Sequence, residues 1–213
     1  MHFENKKMIT DKKQHIIEHA MKLFAEKGFE ATSIRDLAKA ADVNIAMVNY
    51  YFGSKEKLIE TIVEKKASYM KDRIEELEAN KIISEIDKVH VLIDDYVERL
   101  LSNPNFHKVL YKELMANNRQ DLHEFLTQTL ARNAKNFAAI IENGIKKKVF
   151  KKVDAMLTVA SIIGTINQVM LSKNMCNKLL EKPTEYEPYQ DNVFRKRLAN
   201  HLKQMMDLHL LIN

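Results

Sequence analysis

Two histidines near the start of the chain have a spacing that could hold a metal ion. His15 and His19 are four residues apart with Glu18 between them, so both imidazoles would lie on one side of a helix. A zinc site takes three or four protein ligands, and this neighbourhood offers no third one. The sequence therefore predicts no metal site, and surface histidines on a polar helix face are the simpler interpretation.

A cluster of carboxylates could in principle act as a general acid and base. Glu75, Glu76 and Glu78 fall in a strongly charged stretch, where solvated helix surface is the more ordinary interpretation. The sequence also lacks a nucleophile elbow, a P-loop, a glycine-rich dinucleotide turn and a zinc-binding helix motif. These observations predict a protein that is not an enzyme and that needs no cofactor.

The composition indicates an all-α fold. Among 213 residues there are only 4 Gly and 3 Pro, too few for the regular turns of an all-β protein. The net charge is +5, but residues 1–60 are nearly neutral, so charge alone does not indicate a nucleic-acid partner. Cys176 is the only cysteine, which suits a reducing, cytoplasmic setting. The most apolar stretch, residues 155–171, is interrupted by polar side chains and predicts no membrane span.

The first 60 residues carry the signals of short helices with defined ends. Apolar spacing predicts a first helix from about Thr10 to Lys27, which Gly28 ends. Ser33 can cap a second helix that ends near Ala41, and Asn44 can cap a third that ends at Gly53. Further helices are predicted over residues 55–80, from 84 to Pro104, over 105–117, 121–148 and 154–180, and from 193 to the end.

Two short helices joined by Ala41–Val43 and braced by a longer first helix have the outline of a helix-turn-helix. In that arrangement the third helix lies in the major groove of double-stranded DNA. Helical hairpins that do not bind DNA share the outline, so the pattern alone leaves both interpretations open.

Residues 25–58, AEKGFEATSIRDLAKAADVNIAMVNYYFGSKEKL, resemble the N-terminal domain of the TetR family of transcriptional regulators along their whole length. The similarity includes the Lys-Gly-Phe end of the first helix, the Thr-Ser-Ile-Arg-Asp-Leu-Ala second helix, the Asn-Tyr-Tyr-Phe end of the third and the Ser-Lys-Glu-Lys-Leu start of the fourth. Asp42 stands where the family commonly has glycine, and aspartate tolerates the left-handed backbone conformation that such a turn needs.

The resemblance implies which residues contact DNA. Asn49 would read adenine, and the apolar side chains beside it would touch thymine methyl groups. Tyr51 and Lys55 correspond to family positions that contact the sugar-phosphate backbone, although packing against the first helix is an alternative for Tyr50 and Tyr51. The full predicted set is Ser33, Ile34, Arg35, Ile45, Ala46, Met47, Asn49, Tyr50, Tyr51 and Lys55.

The resemblance also implies a division into two domains, a DNA-binding domain of residues 1–55 and a helical bundle of residues 56–213 for effector binding and dimerisation. An apolar cavity for a small-molecule effector would be lined by Tyr96, Phe106, His107, Tyr111, Met115, Phe125 and Phe137, although core packing is an alternative for each. A homodimer would use the apolar helix at 155–171, and a second seam of Phe194, Leu198, His201, Met205, Leu208 and Ile212.

The function that follows is a repressor that binds a roughly palindromic operator as a homodimer and leaves it when a ligand binds. The main alternative outside enzymes is a structural or protein-interaction module. Such a module would show no salt-sensitive binding to any duplex, so a binding assay separates the two.

Overall fold

The fold is described by a computed structural model that covers residues 2–116 and 119–212. Within these ranges the chain forms ten α-helices and one isolated antiparallel bridge, between Phe150 and Leu211. The helices are α1 His2–Lys27, α2 Ile34–Ala40, α3 Ile45–Phe52, α4 Lys55–Ala79, α5 Glu85–Ser102, α6 Pro104–Ala116, α7 Gln120–Lys146, α8 Ala155–Leu171, α9 Lys173–Leu179 and α10 Asn192–Leu210. The all-α prediction is confirmed.

The chain divides into two compact units. The first contains residues 1–67 and 105–129, and the second contains residues 68–104 and 130–213. The segment 105–129 therefore packs with the N-terminal helices, although it is distant from them in sequence. The functional division at residue 55 that the sequence suggests stays a prediction, because compact packing does not by itself define which residues bind DNA.

The first unit has a continuous apolar core to which its first two helices contribute. Ile16, Ala20 and Phe24 of α1 are fully buried, and Leu37 of α2 is almost fully buried. Gly28 takes a φ of 85° after α1, and its amide donates to the Phe24 carbonyl at 2.9 Å. This left-handed ending returns the chain so that Phe29 packs on Phe24, with ring centroids 5.2 Å apart.

The second unit places the buried face of α5 against α10 and α8. Leu92 and Ile93 of α5 and Leu202 of α10 are fully buried. The same unit also buries an ion pair that apolar spacing does not reveal. The Lys88 ammonium lies 3.2 Å from Glu85, with both side chains less than a tenth exposed, and Lys147 pairs with the same carboxylate.

Three helix boundaries differ from the sequence prediction. The predicted helix over residues 154–180 is two helices, α8 and α9, bent by 102°. The bend occurs because Ser172 is extended (φ −137°, ψ 103°) and its hydroxyl accepts from the Met175 amide, which starts a new helix. Helix α1 begins earlier than predicted because its first residues include no helix breaker. Helix α10 ends before the C-terminus, where Leu211 bridges to Phe150. The predicted end of α6 at Asn117 lies outside the described residues.

Within the described ranges, no single helix is long and apolar enough to cross a membrane. Helices α8 and α9 reach the necessary length and composition only as a bent pair.

Candidate nucleic-acid interface

The second helix is fixed at its start by a reciprocal capping box. The Asp36 amide donates to Ser33 Oγ at 3.1 Å, and the Ser33 amide donates to Asp36 Oδ2 at 2.9 Å. The pKa of the Asp36 carboxyl is lowered to about 2, first by the hydrogen bond from the Ser33 hydroxyl. The Ser33 amide and the Lys27 ammonium lower it further. Asp36 is therefore ionised at neutral pH and holds the first turn of α2 in place.

The turn between the two short helices takes the predicted form. Asp42 has a φ of 49°, and the Val43 amide donates to the Ala38 carbonyl at 2.9 Å. Asn44 then caps α3, because its Oδ1 accepts from the Met47 amide at 2.8 Å. These local hydrogen bonds fix the direction in which α3 leaves the turn.

Helix α3 has a buried side and an exposed side. Val48 is fully buried and Phe52 is nearly so, and together they attach the helix to the core of the first unit. The side chains available to a duplex are on the opposite face. Among the predicted contact residues, six are exposed: Ser33, Arg35, Ile45, Ala46, Asn49 and Tyr50.

The other four predicted contact residues are half-buried. Ile34, Met47 and Tyr51 each pack partly against the core of the first unit. Tyr50 is 81% exposed, and its ring meets Tyr51 edge to face with centroids 5.3 Å apart. The Tyr51 side chain is therefore partly packed, in line with the packing alternative, and partly exposed. The Tyr50 side chain, in contrast, projects from the molecule.

Lys55, at the first residue of α4, is held by the chain itself. Its Nζ donates to the carbonyls of Phe29 at 2.8 Å and Glu30 at 3.4 Å. It also lies 4.4 Å from the centroid of the Phe29 ring. An ammonium has three hydrogens, so these contacts position Lys55 beside the start of α4 and leave it able to donate further.

A second cation, Arg119, lies against the same aromatic ring as Lys55, and no sequence motif indicates it. Arg119 lies 5.0 Å from the Phe29 centroid and pairs with the carboxylates of Glu30 at 2.5 Å, Glu113 at 3.0 Å and Glu56 at 3.7 Å. We refer to these residues as the Arg119 cluster, which consists of Phe29, Glu30, Lys55, Glu56, Glu113 and Arg119. No sequence signal points to it, because Arg119 and Glu30 are far apart along the chain.

The charges in the Arg119 cluster affect one another. The hydrogen bond from Arg119 lowers the pKa of the Glu30 carboxyl below its usual value, and the nearby charge of Lys55 acts in the same direction. Glu30 is therefore a carboxylate at neutral pH that lies within the influence of both cations.

The two histidines considered as metal ligands lie side by side, with ring centroids 4.5 Å apart. His15 Nε2 is 3.0 Å from the Ala41 carbonyl, so it links α1 to the end of α2. Among the residues that the structure describes, no group of three or more His, Cys, Asp or Glu side chains is arranged to hold a metal ion.

The seven predicted effector residues are divided between the two units. Phe106, His107, Tyr111, Met115 and Phe125 belong to the first unit, and Tyr96 and Phe137 belong to the second. Phe106 is buried in the core of the first unit, and Phe125 is partly buried against the same core. Tyr96 and Phe137 stack with centroids 5.6 Å apart, while Met115 is 76% exposed.

A surface groove of about 550 Å³ runs along α7. It is lined by polar residues of that helix, Gln120, His123, Glu124, Thr127 and Gln128. None of the predicted effector residues lines this groove, so their role stays a prediction.

The predicted seam on α10 is wrong in part. Phe194 and Leu198 are buried in the second unit, because they share the inner face of α10 with Leu202. His201, Met205, Leu208 and Ile212 of the predicted seam are exposed, and Val193 joins them at the start of the helix. The exposed part of the predicted seam therefore keeps the alternation of four and three residues but is limited to the C-terminal part of the helix and the residues just after it.

Helix α8 also keeps an apolar surface exposed. Met156 and Leu157 are exposed near its start, and Leu171 is exposed at its end. Gly164 lies between them on the exposed side, and a Cβ atom added there would meet nothing within 4 Å.

Comparisons with protein families give two matches. A model described as "Bacterial regulatory proteins, tetR family" matches residues 16–62, and a model described as "Tetracyclin repressor-like, C-terminal domain" matches residues 83–171. The first match contains α2, α3 and the capping residues described above.

Two curated relatives are named as HTH-type transcriptional regulators. The chain is 30% identical to YttP of Bacillus subtilis (strain 168), named "Probable HTH-type transcriptional regulator", over 67% of this chain and 69% of YttP. It is 31% identical to IcaR of Staphylococcus aureus (strain Newman), a negative transcriptional regulator of a biofilm operon, over 40% of this chain and 45% of IcaR.

Solved structures share the fold. FadR from Bacillus subtilis, in complex with stearoyl-CoA, has a TM-score of 0.70 at 18% identity and covers 91% of this chain and 96% of its own. PfmR from Thermus thermophilus has a TM-score of 0.70 at 20% identity and covers 91% of this chain and 97% of its own.

Proposed function

Because this chain belongs to the TetR family of transcriptional regulators, we propose that it is a repressor that binds a roughly palindromic operator as a homodimer and is released by a small, largely apolar effector. The observation that carries the DNA-binding part is the exposed face of α3. Asn49 and Tyr50 project from a helix that Val48 and Phe52 fix to the core, so the reading side chains have a rigid support.

The exposed residues suggest how the protein would distinguish sequences. Asn49 offers a donor and an acceptor that fit adenine, and Ile45 and Ala46 offer methyl groups that fit the thymine methyl. Arg35, at the start of α2, would bind phosphate or guanine. A reading face with so little charge favours half-sites that contain A·T pairs.

Selection from a random duplex library tests this part of the proposal. We expect the wild-type protein to enrich an inverted repeat with half-sites about one helical turn apart or a small multiple of it. Asn49→Ala should lose discrimination at one position of each half-site, by about 1–3 kcal/mol. The exposed Asn105→Ala, on α6, is a matched control and should enrich the same repeat. Failure of the wild type to enrich any sequence would refute specific operator binding.

The homodimer is proposed from the exposed apolar faces of α8 and α10. Leu157 and Leu208 are 66% and 80% exposed, and such surfaces are usually covered by a partner. In a two-fold dimer each helix would meet its own copy or its neighbour in the other subunit.

Gly164→Leu tests the interface without disturbing the subunit. A leucine at this position has open space within the chain and improves helix propensity, so the subunit should keep its fold. Against a partner helix the same side chain would prevent close approach. Sedimentation at micromolar concentration should show a wild-type dimer and a folded monomeric variant, and a wild-type monomer would contradict the proposal.

Release by an effector requires a ligand that prefers the free form of the protein. Nearly complete release needs a preference of about 5.5 kcal/mol, which two sites in a dimer could share. Helix α4 contributes residues to both compact units, because it begins at Lys55 in the first unit and continues without a break into the second unit. We propose that movement of α4 changes the separation of the two reading helices.

A further inference from the structure

The Arg119 cluster brings two cations and three carboxylates around one aromatic ring. Arg119 and Lys55 share two partners, because both approach the Phe29 ring and both contact Glu30. They contact different atoms of Glu30, however. Arg119 holds the carboxylate, whereas Lys55 donates to the backbone carbonyl.

This difference in contacts matters because the Glu30 side chain is exposed enough to form an ion pair with a different cation. The Glu30 side chain is 55% exposed, and the ammonium of Lys55 is a nearby cation that already lowers the pKa of its carboxyl. Arg119 is also held by Glu113, whose side chain is 7% exposed and which accepts from a different nitrogen of the guanidinium. The planar guanidinium can therefore keep its contact with Glu113 while another of its nitrogens holds the Glu30 carboxylate.

We propose that Arg119 is a positioning residue for DNA binding, because by holding the Glu30 carboxylate it keeps the Lys55 ammonium available to a DNA phosphate. The inference rests on the proposed function and adds to it a residue outside the helix-turn-helix that controls one of its phosphate contacts. Without Arg119, the Glu30 carboxylate forms an ion pair with Lys55 and competes with the phosphate for the same hydrogens.

A double-mutant cycle on the full-length chain tests this competition. The variants are Arg119→Ala, Glu30→Gln and the double variant, and the readout is duplex affinity measured from low to moderate salt. We expect Arg119→Ala to weaken binding to all duplexes by about threefold to tenfold and to reduce the salt slope by about one unit, as loss of one phosphate contact would. Glu30→Gln should restore most of that loss in the double variant.

The coupling between the two positions is the decisive quantity. Glu30→Gln removes a negative charge near DNA in any background, so its effect must be larger without Arg119 than with it. Equal effects in the two backgrounds would mean that Arg119 contacts DNA directly or acts only on stability, and would overturn the proposal. Unchanged affinity of Arg119→Ala would also overturn it.

Two controls separate positioning from loss of fold and from loss of charge. Thermal unfolding identifies a variant that does not fold, and Arg119→Lys then replaces Arg119→Ala in the same cycle. Its expected effect is smaller, about twofold, because lysine keeps the charge but cannot reproduce the planar guanidinium that contacts three carboxylates. Lys135→Ala, at an exposed position of α7, removes a charge elsewhere and should leave the salt slope unchanged. If the wild-type chain binds no duplex at all, the proposed function fails, and that result is distinct from any outcome of the cycle.

Discussion

The Asp36 carboxylate illustrates how one side chain fixes the geometry of the interface. It accepts from the Ser33 amide, the Ser33 hydroxyl and Lys27, and its pKa is lowered to about 2 by these contacts, the Ser33 hydroxyl first. A carboxyl with a lowered folded-state pKa stabilises the fold above its unfolded pKa, and this contribution disappears as pH falls through the folded value. The capping box should therefore weaken between about pH 4 and pH 2.

Comparison of the wild type with Asp36→Asn isolates this effect from the other carboxylates. At pH 5 the wild type should have the higher unfolding midpoint, because asparagine carries no charge for Lys27 or for the start of α2. The difference should shrink as pH falls toward 2, as followed by circular dichroism. A difference that stays constant over this range would show that Asp36 acts by shape and not by charge.

Lys55 gives a second prediction at the scale of a single residue. Lys55→Ala should weaken binding to all duplexes alike and reduce the salt slope by about one unit, because a phosphate contact carries no sequence information. The ratio of specific to non-specific affinity should stay nearly unchanged, in contrast to Asn49→Ala. Lys135→Ala is the matched control on α7. If Lys55→Ala leaves the salt slope of duplex affinity unchanged, Lys55 does not contact a DNA phosphate.

At the scale of helices, local signals determined what could be predicted. Gly28, Ser33 and Asn44 act within four residues of their own position, so the sequence alone indicates the ends of α1, α2 and α3. Ser172 carries the same kind of capping signal, but the apolar pattern on both sides of it suggested one continuous helix. The exposed side of α3 was predictable by resemblance to a family.

Features that depend on distant contacts could not be predicted. Arg119 pairs with Glu30, which is far away along the chain, and the buried Lys88 pairs with a Glu85 carboxylate that also pairs with the distant Lys147. The inner face of α10 likewise depends on where α5 packs. Spacing along one helix shows that an apolar face exists, but it does not show which partner covers it.

Helix α7 supplies a prediction about packing between elements. Gly144 lies against the ring of Phe150, and a Cβ atom at this position would overlap the ring carbons. Gly144→Ala should therefore destabilise the protein by about 1–3 kcal/mol, despite the better helix propensity of alanine. Gly164→Ala, with open space, should be neutral or stabilising by up to about 1 kcal/mol. Chemical denaturation of both variants checks this, and equal stability would contradict the overlap.

At the scale of the whole molecule, ligand and operator must affect each other equally. If an effector weakens operator binding by some factor, operator must weaken effector binding by the same factor. A candidate effector is first confirmed to bind the free protein and is then used as the probe. Calorimetric titration with and without operator should give two different affinities for an inducer. Equal affinities would exclude the tested compound as the releasing ligand.

The environment of Cys176 has a practical consequence. This residue is the only cysteine in the chain and is 2% exposed, and burial raises the pKa of its thiol. A buried thiol of raised pKa forms little thiolate at neutral pH and reacts slowly with maleimides and similar reagents. The natural sequence is therefore a ready background for site-specific labelling. In the Tyr50→Cys variant the exposed new thiol should take up one fluorophore per chain, so that the proposed contact between α3 and a duplex can be tested optically without first removing a native thiol.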